Sequence, residues 1–330
     1  MKILNLLAYS NKGYEQNIGD LLIAASLKKY LHKKKDRWAI GYFNREKFDL
    51  DKFDLVIIGG GGLYHPGHLQ DLESQLNLYT STAPLALIGL GLSLDGRSYV
   101  SLANKKAIKK INKRAFISSV RDQWTYDLLQ SLDLKTSLTG CPSLFLSDCY
   151  PEIDKQTLKY DIGFNFAASH TPYYQQQSSK VIKFINAVAK NLKGKKIVIC
   201  HNRKEKKFYQ KIFPNTKVFY SDKPQKVLSV YKNCQLIIGM RCHSQIFSQA
   251  VQTPALAIPL NEKVSQPIKM AFKSPNKFIV SLDDSLSSVE KKIKYIQKNH
   301  KQIQRQQQAL KKRLKNNFLK IIKQIHQRFN

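Results

Sequence analysis

The sequence predicts an α/β protein of two doubly wound, Rossmann-like domains facing a cleft. Short, nearly continuous apolar runs alternate with longer stretches of helical periodicity, as expected for parallel strands covered on both faces. This pattern breaks near residues 141–155 and then restarts. One strand-and-glycine segment, Asp54-Leu55-Val56-Ile57-Ile58-Gly59-Gly60, is echoed at Cys234-Gln235-Leu236-Ile237-Ile238-Gly239-Met240. At roughly 100–200 residues per domain, a chain of 330 residues suits two domains.

In the first half, residues 2–8 (KILNLLA) read as a strand, followed by a loop over 10–20 and a helix over 21–31. Residues 55–58 form a second strand that runs into four glycines. Residues 85–90 (LALIGL) read as a strand, 105–113 as a helix, 115–120 as a strand and 123–132 as a helix. Residues 141–155, with Pro142 and Pro151, read as a linker. In the second half, strands are expected at 160–166, 196–201, 236–238 and 255–258. Helices are expected at 178–192, 204–212 and 243–251. Strands alternating with helices imply parallel sheets. The expected domains are therefore 1–150 and 151–285, with 286–330 as a basic tail. In that tail Leu310, Leu314, Phe318, Ile321, Ile325 and Phe329 recur at helical spacing. Two readings of the tail stay open: a helix packed on protein, or one lying on a membrane surface.

Composition is that of an ordinary globular chain, with 42% hydrophobic and 24% charged residues. Collagen-like, coiled-coil and disordered classes are excluded. Charge is the anomaly: the formal net is +32, of which residues 151–285 carry +14 and residues 286–330 carry +12. Such a field attracts phosphorylated ligands, polyanions or an anionic membrane face. The five cysteines show no C-x-x-C spacing and an odd count, which speaks against a disulfide framework or zinc site. The N-terminus lacks the pattern of a signal peptide, and no run of 18 apolar residues is present. A cytoplasmic location, with peripheral contact at the inner face of the plasma membrane, is the expectation.

Gly239-Met240-Arg241-Cys242-His243-Ser244 follows a buried strand and precedes an apolar helix. Arg241 offers a planar fork for carboxylate or phosphate. His243 exchanges a proton near neutral pH, and backbone N–H groups around Cys242 at the helix start add anion affinity. An arginine paired with a carboxylate and a structural histidine is the alternative. In Asn17-Ile18-Gly19-Asp20, Gly19 permits close backbone approach, and Asp20 serves as a base or as a helix cap. Gly59, Gly60, Gly61 and Gly62 suit a backbone lying against a ligand, but match neither G-x-G-x-x-G nor a phosphate loop with lysine. Tyr64, His65 and His68 follow and are candidates to line the cleft. Arg121, with Asp122, stands at a strand end and either enters the crevice or forms a surface ion pair. His170, His201 and Glu205 carry no metal-ligand spacing, and no metal site is expected.

Taken in order, these residues resemble the polysaccharide pyruvyl transferase family. The resemblance is carried by Asn17-Ile18-Gly19-Asp20, by residues 54–62 (DLVIIGGGG) and 87–93 (LIGLGLS), and by Ser119-Val120-Arg121-Asp122. It continues through Thr139-Gly140-Cys141-Pro142 and Gly239 to Ser244 (GMRCHS), and on to residues 253–258 (TPALAI). It implies a two-domain enzyme of GT-B type that moves the enolpyruvyl group of phosphoenolpyruvate onto a sugar of a surface-glycan (exopolysaccharide) precursor, forming a pyruvate ketal. It further implies that Arg121 and Arg241 hold phosphoenolpyruvate and that His243 sits at the reacting centre. Asp20 is then the candidate base, and the scheme needs no metal or cofactor. Expected partners are phosphoenolpyruvate and a sugar or lipid-linked glycan acceptor. The family often has an acidic residue where Cys141 stands, a departure that bears on acceptor specificity. A GT-B glycosyltransferase using a nucleotide sugar is the runner-up. A nucleic-acid binder comes last, because no module of recognised spacing is present.

Overall fold

The computed structural model describes all residues except 9–16, 44, 77–80, 95–98, 156, 168–177 and 330. His170 and most of the loop after the first strand lie outside the described residues. The chain divides into two compact units, Met1–Leu146 with Lys312–Asn330, and Ser147–Lys311. Each is built on its own parallel sheet.

Unit 1 runs β1 (Lys2–Leu7), α1 (Ile18–Leu31), β2 (Arg37–Tyr42), β3 (Leu55–Gly59), α2 (Pro66–Leu76), β4 (Leu85–Leu90), α3 (Leu102–Arg114), β5 (Ile117–Val120), α4 (Gln123–Ser131) and β6 (Ser137–Leu138). The described sheet has the order β2-β1-β3-β4-β5-β6, and every pairing is parallel. Strand order reverses between β1 and β3, so a crevice opens there beyond the strand ends. β1, β3 and β4 are apolar along almost their whole length and almost wholly buried, because helices cover both faces.

Unit 2 runs β7 (Tyr160–Asn165), α5 (Ser178–Asn191), β8 (Lys196–Ile199), α6 (Arg203–Ile212), β9 (Lys217–Phe219), α7 (Pro224–Lys232), β10 (Cys234–Gly239), α8 (Cys242–Ala250), β11 (Ala255–Ala257), α9 (Glu262–Ala271) and α10 (Leu286–Lys298). Its order is β11-β10-β7-β8-β9, again parallel, with the reversal between β7 and β10. The echoed segments are thus β3 and β10, the strands that flank the reversal point of each sheet.

Residues 141–155, read as a linker, span the division between the units at Leu146 and Ser147 and are folded. They form 3₁₀ turns over Pro142–Cys149 and Pro151–Ile153, and residues 141–147 are buried. The prolines do break regular structure, but Leu144, Phe145 and Leu146 are core side chains. Ser26 Oγ donates to the Pro142 carbonyl at 2.6 Å, tying the turn to α1.

The last helix, α11 (His300–Arg328), starts well before the apolar periodicity does. Leu310, Leu314, Phe318, Ile321 and Ile325 are all buried. Within unit 1, the Phe318 ring lies 4.9 Å from that of Phe145, tilted by 30°, and meets Tyr30 edge-on at 5.1 Å. Its apolar face is packed on protein, so the helix offers no such face to a membrane. Among the described residues no helix is long and apolar enough to cross one.

Candidate functional site

In unit 1, Asn17 caps α1, its Oδ1 accepting the Gly19 N–H at 2.9 Å. Gly19 is buried against this cap, and Asp20 sits in the first turn without being the cap. Beyond β3, Gly60 and Gly61 take φ values of +68° and +80°, the left-handed region that favours glycine. A Cβ on Gly60 would lie 2.7 Å from the Ile23 side chain, and one on Gly61 would lie 3.6 Å from Asp20 Oδ1. One on Gly62 would come 3.6 Å from Arg121 Nη2 and 2.9 Å from Ser93 Cβ. Gly91 has no room for a side chain, because Arg121 Nε would be 2.1 Å away.

The glycine turn therefore runs between Asp20 and Arg121. The Arg121–Asp122 pair is buried, not on the surface: each side chain is 3% exposed, and Nε meets Asp122 Oδ2 at 3.1 Å. Arg121 Nη2 also donates to the Leu92 carbonyl at 3.2 Å, while Asp122 Oδ1 caps α4 through the Thr125 N–H.

Tyr64 does not line a cleft. It is a core side chain, hydrogen-bonded to Asn112 at 2.8 Å, and burial pushes its phenol up. The rings of His65 and His68 stand 5.1 Å apart, and His65 Nδ1 accepts the Gly67 N–H. Cys141 is buried, with Sγ 3.2 Å from Ser143 Oγ. Gly91 and Ser93, just beyond β4 in the 87–93 segment quoted above, were not singled out as site residues.

In unit 2, Arg241 occupies the cap position of α8, with Cys242 and His243 as the first helical residues, both buried. Gly239 must be glycine, since a Cβ would fall 2.1 Å from Ser244 Oγ. Ser244 Oγ donates to the Arg241 carbonyl at 2.7 Å, and Gln245 Nε2 to the Gly239 carbonyl at 3.0 Å, which fixes the turn. The His243 ring stacks on Phe247 one turn on, at 5.7 Å.

Arg241 forms an ion pair with the wholly buried carboxylate of Glu205. Glu205 Oε2 also accepts the His201 N–H at 2.8 Å, and its own N–H donates to Asn202 Oδ1 at 2.7 Å. Asn202–Glu205 is thus a variant capping box that begins α6 and aims a carboxylate at Arg241. His201 Nε2 lies 2.9 Å from Tyr231 Oη. Burial, and then the charges of Arg241 and His243, hold the His201 imidazole well below its ordinary value, so it is neutral. Burial pushes the Cys200 thiol and the Tyr231 phenol up, so neither is an activated nucleophile.

Beyond the ends of β8 and β10 the structure therefore gathers His201, Glu205, Arg241 and His243. The first two were not singled out as site residues. Asn202-x-x-Glu205 was the available signal, but nothing in the sequence joins it to Arg241. Among the described residues no group of histidine, cysteine or acidic side chains is placed to hold a metal ion.

Both sheets define a class. The fold is GT-B-like, as comparison with solved structures shows. It is similar to UDP-GlcNAc 2-epimerase of Neisseria meningitidis bound to UDP-GlcNAc, at TM-score 0.59 and 10% identity over 99% of this chain and 100% of that one. It is also similar to the Methanocaldococcus jannaschii UDP-GlcNAc 2-epimerase in complex with UDP-GlcNAc and UDP (0.57, 12%, 89% and 92%). An Anabaena protein, HepE, in complex with UDP and glucose gives 0.55 and 14% over 100% and 99%. Residues 17–262 match the family described as polysaccharide pyruvyl transferase, and the chain belongs to that family. Comparison with curated proteins finds no match.

Proposed function

We propose that the protein transfers the enolpyruvyl group of phosphoenolpyruvate to two hydroxyls of a sugar in a surface-glycan precursor. The observation that carries this reading is the start of α8. There Arg241, held by a buried carboxylate, stands two residues from His243 at the reversal point of a parallel sheet. Guanidinium groups suit a ligand that carries both carboxylate and phosphate.

In the proposed reaction, His243 delivers a proton to the methylene carbon, leaving positive charge at the adjoining carbon. A sugar hydroxyl adds there and gives up its proton to a base, the role assigned to Asp20. Phosphate departs with the C–O electron pair, its charge met by Arg121 and Arg241. The second hydroxyl then closes the ketal. Of the two hydroxyl protons, one balances the new methyl group and the other leaves with phosphate. General acid and base steps contribute about 10²–10⁴-fold each.

The test is phosphate release from phosphoenolpyruvate in the presence of candidate sugar acceptors. Arg241→Lys keeps a positive charge beside Glu205 but loses the fork. It should lower kcat/KM about 10²-fold or more with the fold intact by circular dichroism. Full activity in that variant overturns the assignment. Thermal stabilisation by a nucleotide sugar and not by phosphoenolpyruvate favours the glycosyltransferase reading.

A further inference from the structure

We propose that the start of α3 is a docking surface for an anionic lipid bilayer. Among the described residues Tyr99 and Leu102 are the most exposed large apolar side chains, at 73% and 77%. They stand together where α3 begins, around the cap Ser101, whose Oγ accepts the Asn104 N–H. The inner face of the helix is spent on the core through Ala107, Ile108 and Ile111. Its outer face carries Leu102, Lys106, Lys110 and Lys113 at spacings of four, four and three, all exposed.

Lys105, Lys109 and Arg114 add to the charge, and residues 99–121 contain no aspartate or glutamate. Arg114 is committed to the Ser81 and Ala83 carbonyls, and Lys110 meets Glu73 of α2 at 3.6 Å. Helical side chains lean toward the N-terminus, so Lys105, Lys106 and Lys109 lean toward Tyr99 and Leu102. The result is a small apolar tip ringed by ammonium groups.

That chemistry matches the interfacial zone of an anionic bilayer. Tyrosine and leucine enter the headgroup boundary, while lysine stems reach back to lipid phosphates. A protein partner would bury a broader apolar patch than two side chains. Single-stranded nucleic acid would call for a row of aromatics, and here there is one. The tail helix, which the sequence offered as the membrane candidate, has its apolar face packed on protein. The inference goes beyond pyruvyl transfer and stands without it, because binding is read with no substrate present.

The experiment is co-sedimentation of the full chain with vesicles of phosphatidylcholine alone, or with about one third phosphatidylglycerol. Binding should need the anionic lipid and weaken steeply with salt. Tyr99→Ser with Leu102→Ser should lower the partition coefficient about tenfold or more, as should Lys106→Glu with Lys113→Glu. Lys291→Glu with Lys294→Glu, the same charge change on exposed positions of α10, should leave binding near the original level. All variants are at exposed positions, and unchanged melting temperatures confirm their folding. Absence of vesicle binding, equal loss in the α10 control, or undiminished binding by the Tyr99/Leu102 variant each overturns the proposal. Retention on an RNA homopolymer without vesicle binding reassigns the surface to nucleic acid and also overturns it.

Discussion

Each unit presents one arginine beyond its parallel strands, and the two are held in different ways. Arg121 is paired with the very next residue, through Nε, and Asp122 also caps α4. Arg241 is paired with Glu205, 36 positions earlier in the chain, on a helix that follows a different strand. The first pairing is set by local backbone geometry, whereas the second exists only once β8 and β10 have taken their places in the sheet. An arginine fixed by a distant carboxylate reports on tertiary structure, and its orientation depends on a residue that no local motif names.

The difference should appear as coupling energy. Glu205→Ala leaves the Arg241 guanidinium and the His201 N–H without their acceptor. Because Arg241 is partly solvent-accessible at 21%, the cost should be about 2–4 kcal/mol, toward the lower end of the range for a fully buried pair. In a double-mutant cycle measured by urea unfolding, Arg241 and Glu205 should couple by about 1.5–3 kcal/mol. Arg121 and Asp122, the more deeply buried pair, should couple more strongly, and Asp122→Ala loses the helix cap in addition. Equal couplings would break the comparison.

The same contrast explains what could be read from the sequence. The fold was legible because parallel strands buried on both faces announce themselves as apolar runs. The run at 85–90 coincides with β4, and β3 and β10 each end at the glycine that the pattern marked. The elements that were missed are short, half-exposed or charged. β2 (RWAIGY) is an edge strand of mixed burial, and β9 has only three residues. α9 carries Pro267 in its interior, which hides its helical pattern.

Asp20, the glycine turn and Arg121 in unit 1, and Arg241 and His243 in unit 2, could be singled out as candidates because backbone geometry restricts the residue types at strand ends and helix starts. Glu205 and His201 were not, because their roles arise from pairing across strands. Tyr64 was misjudged because a tyrosine after a glycine turn looks accessible until Asn112, from a distant helix, is seen to satisfy its hydroxyl.

A second way to sharpen the comparison is pH. His201 is buried and neutral in unit 2, with its folded value well below the ordinary 6.5. The unfolded chain therefore takes up a proton below that value while the folded chain does not. The stability contributed by neutral His201 is complete above about pH 6.5 and is lost as pH falls from there toward the folded value, with a slope of at most about 1.4 kcal/mol per unit. In unit 1 the Thr82 N–H and neighbouring donors hold Asp51 below its usual 3.8, so its contribution declines only in stronger acid. Hydrogen exchange at pH 5 should then show unit 2 opening before unit 1. His201→Gln, able to keep the bond to Tyr231, should flatten the dependence. Simultaneous opening of both units at pH 5 would contradict it.

The smallest expected effect concerns a pair of asparagines in the first strand of each sheet. Asn165 in β7 donates Nδ2 to the Ile199 carbonyl at 2.7 Å. Asn5 in β1 is equally buried, yet among the described residues neither its Nδ2 nor its Oδ1 has a hydrogen-bond partner. Two buried amide atoms without partners are a standing cost, and replacing them with apolar atoms of similar volume removes it. Asn5→Leu should therefore raise stability by about 1 kcal/mol. Asn165→Leu should lower it by about 1–2 kcal/mol, because the Ile199 carbonyl loses its donor. Urea unfolding of the two variants reads opposite signs from residues in matching strands. If both substitutions destabilise, Asn5 is satisfied in a way its strand neighbours do not provide, and the asymmetry between the two sheets disappears at this position.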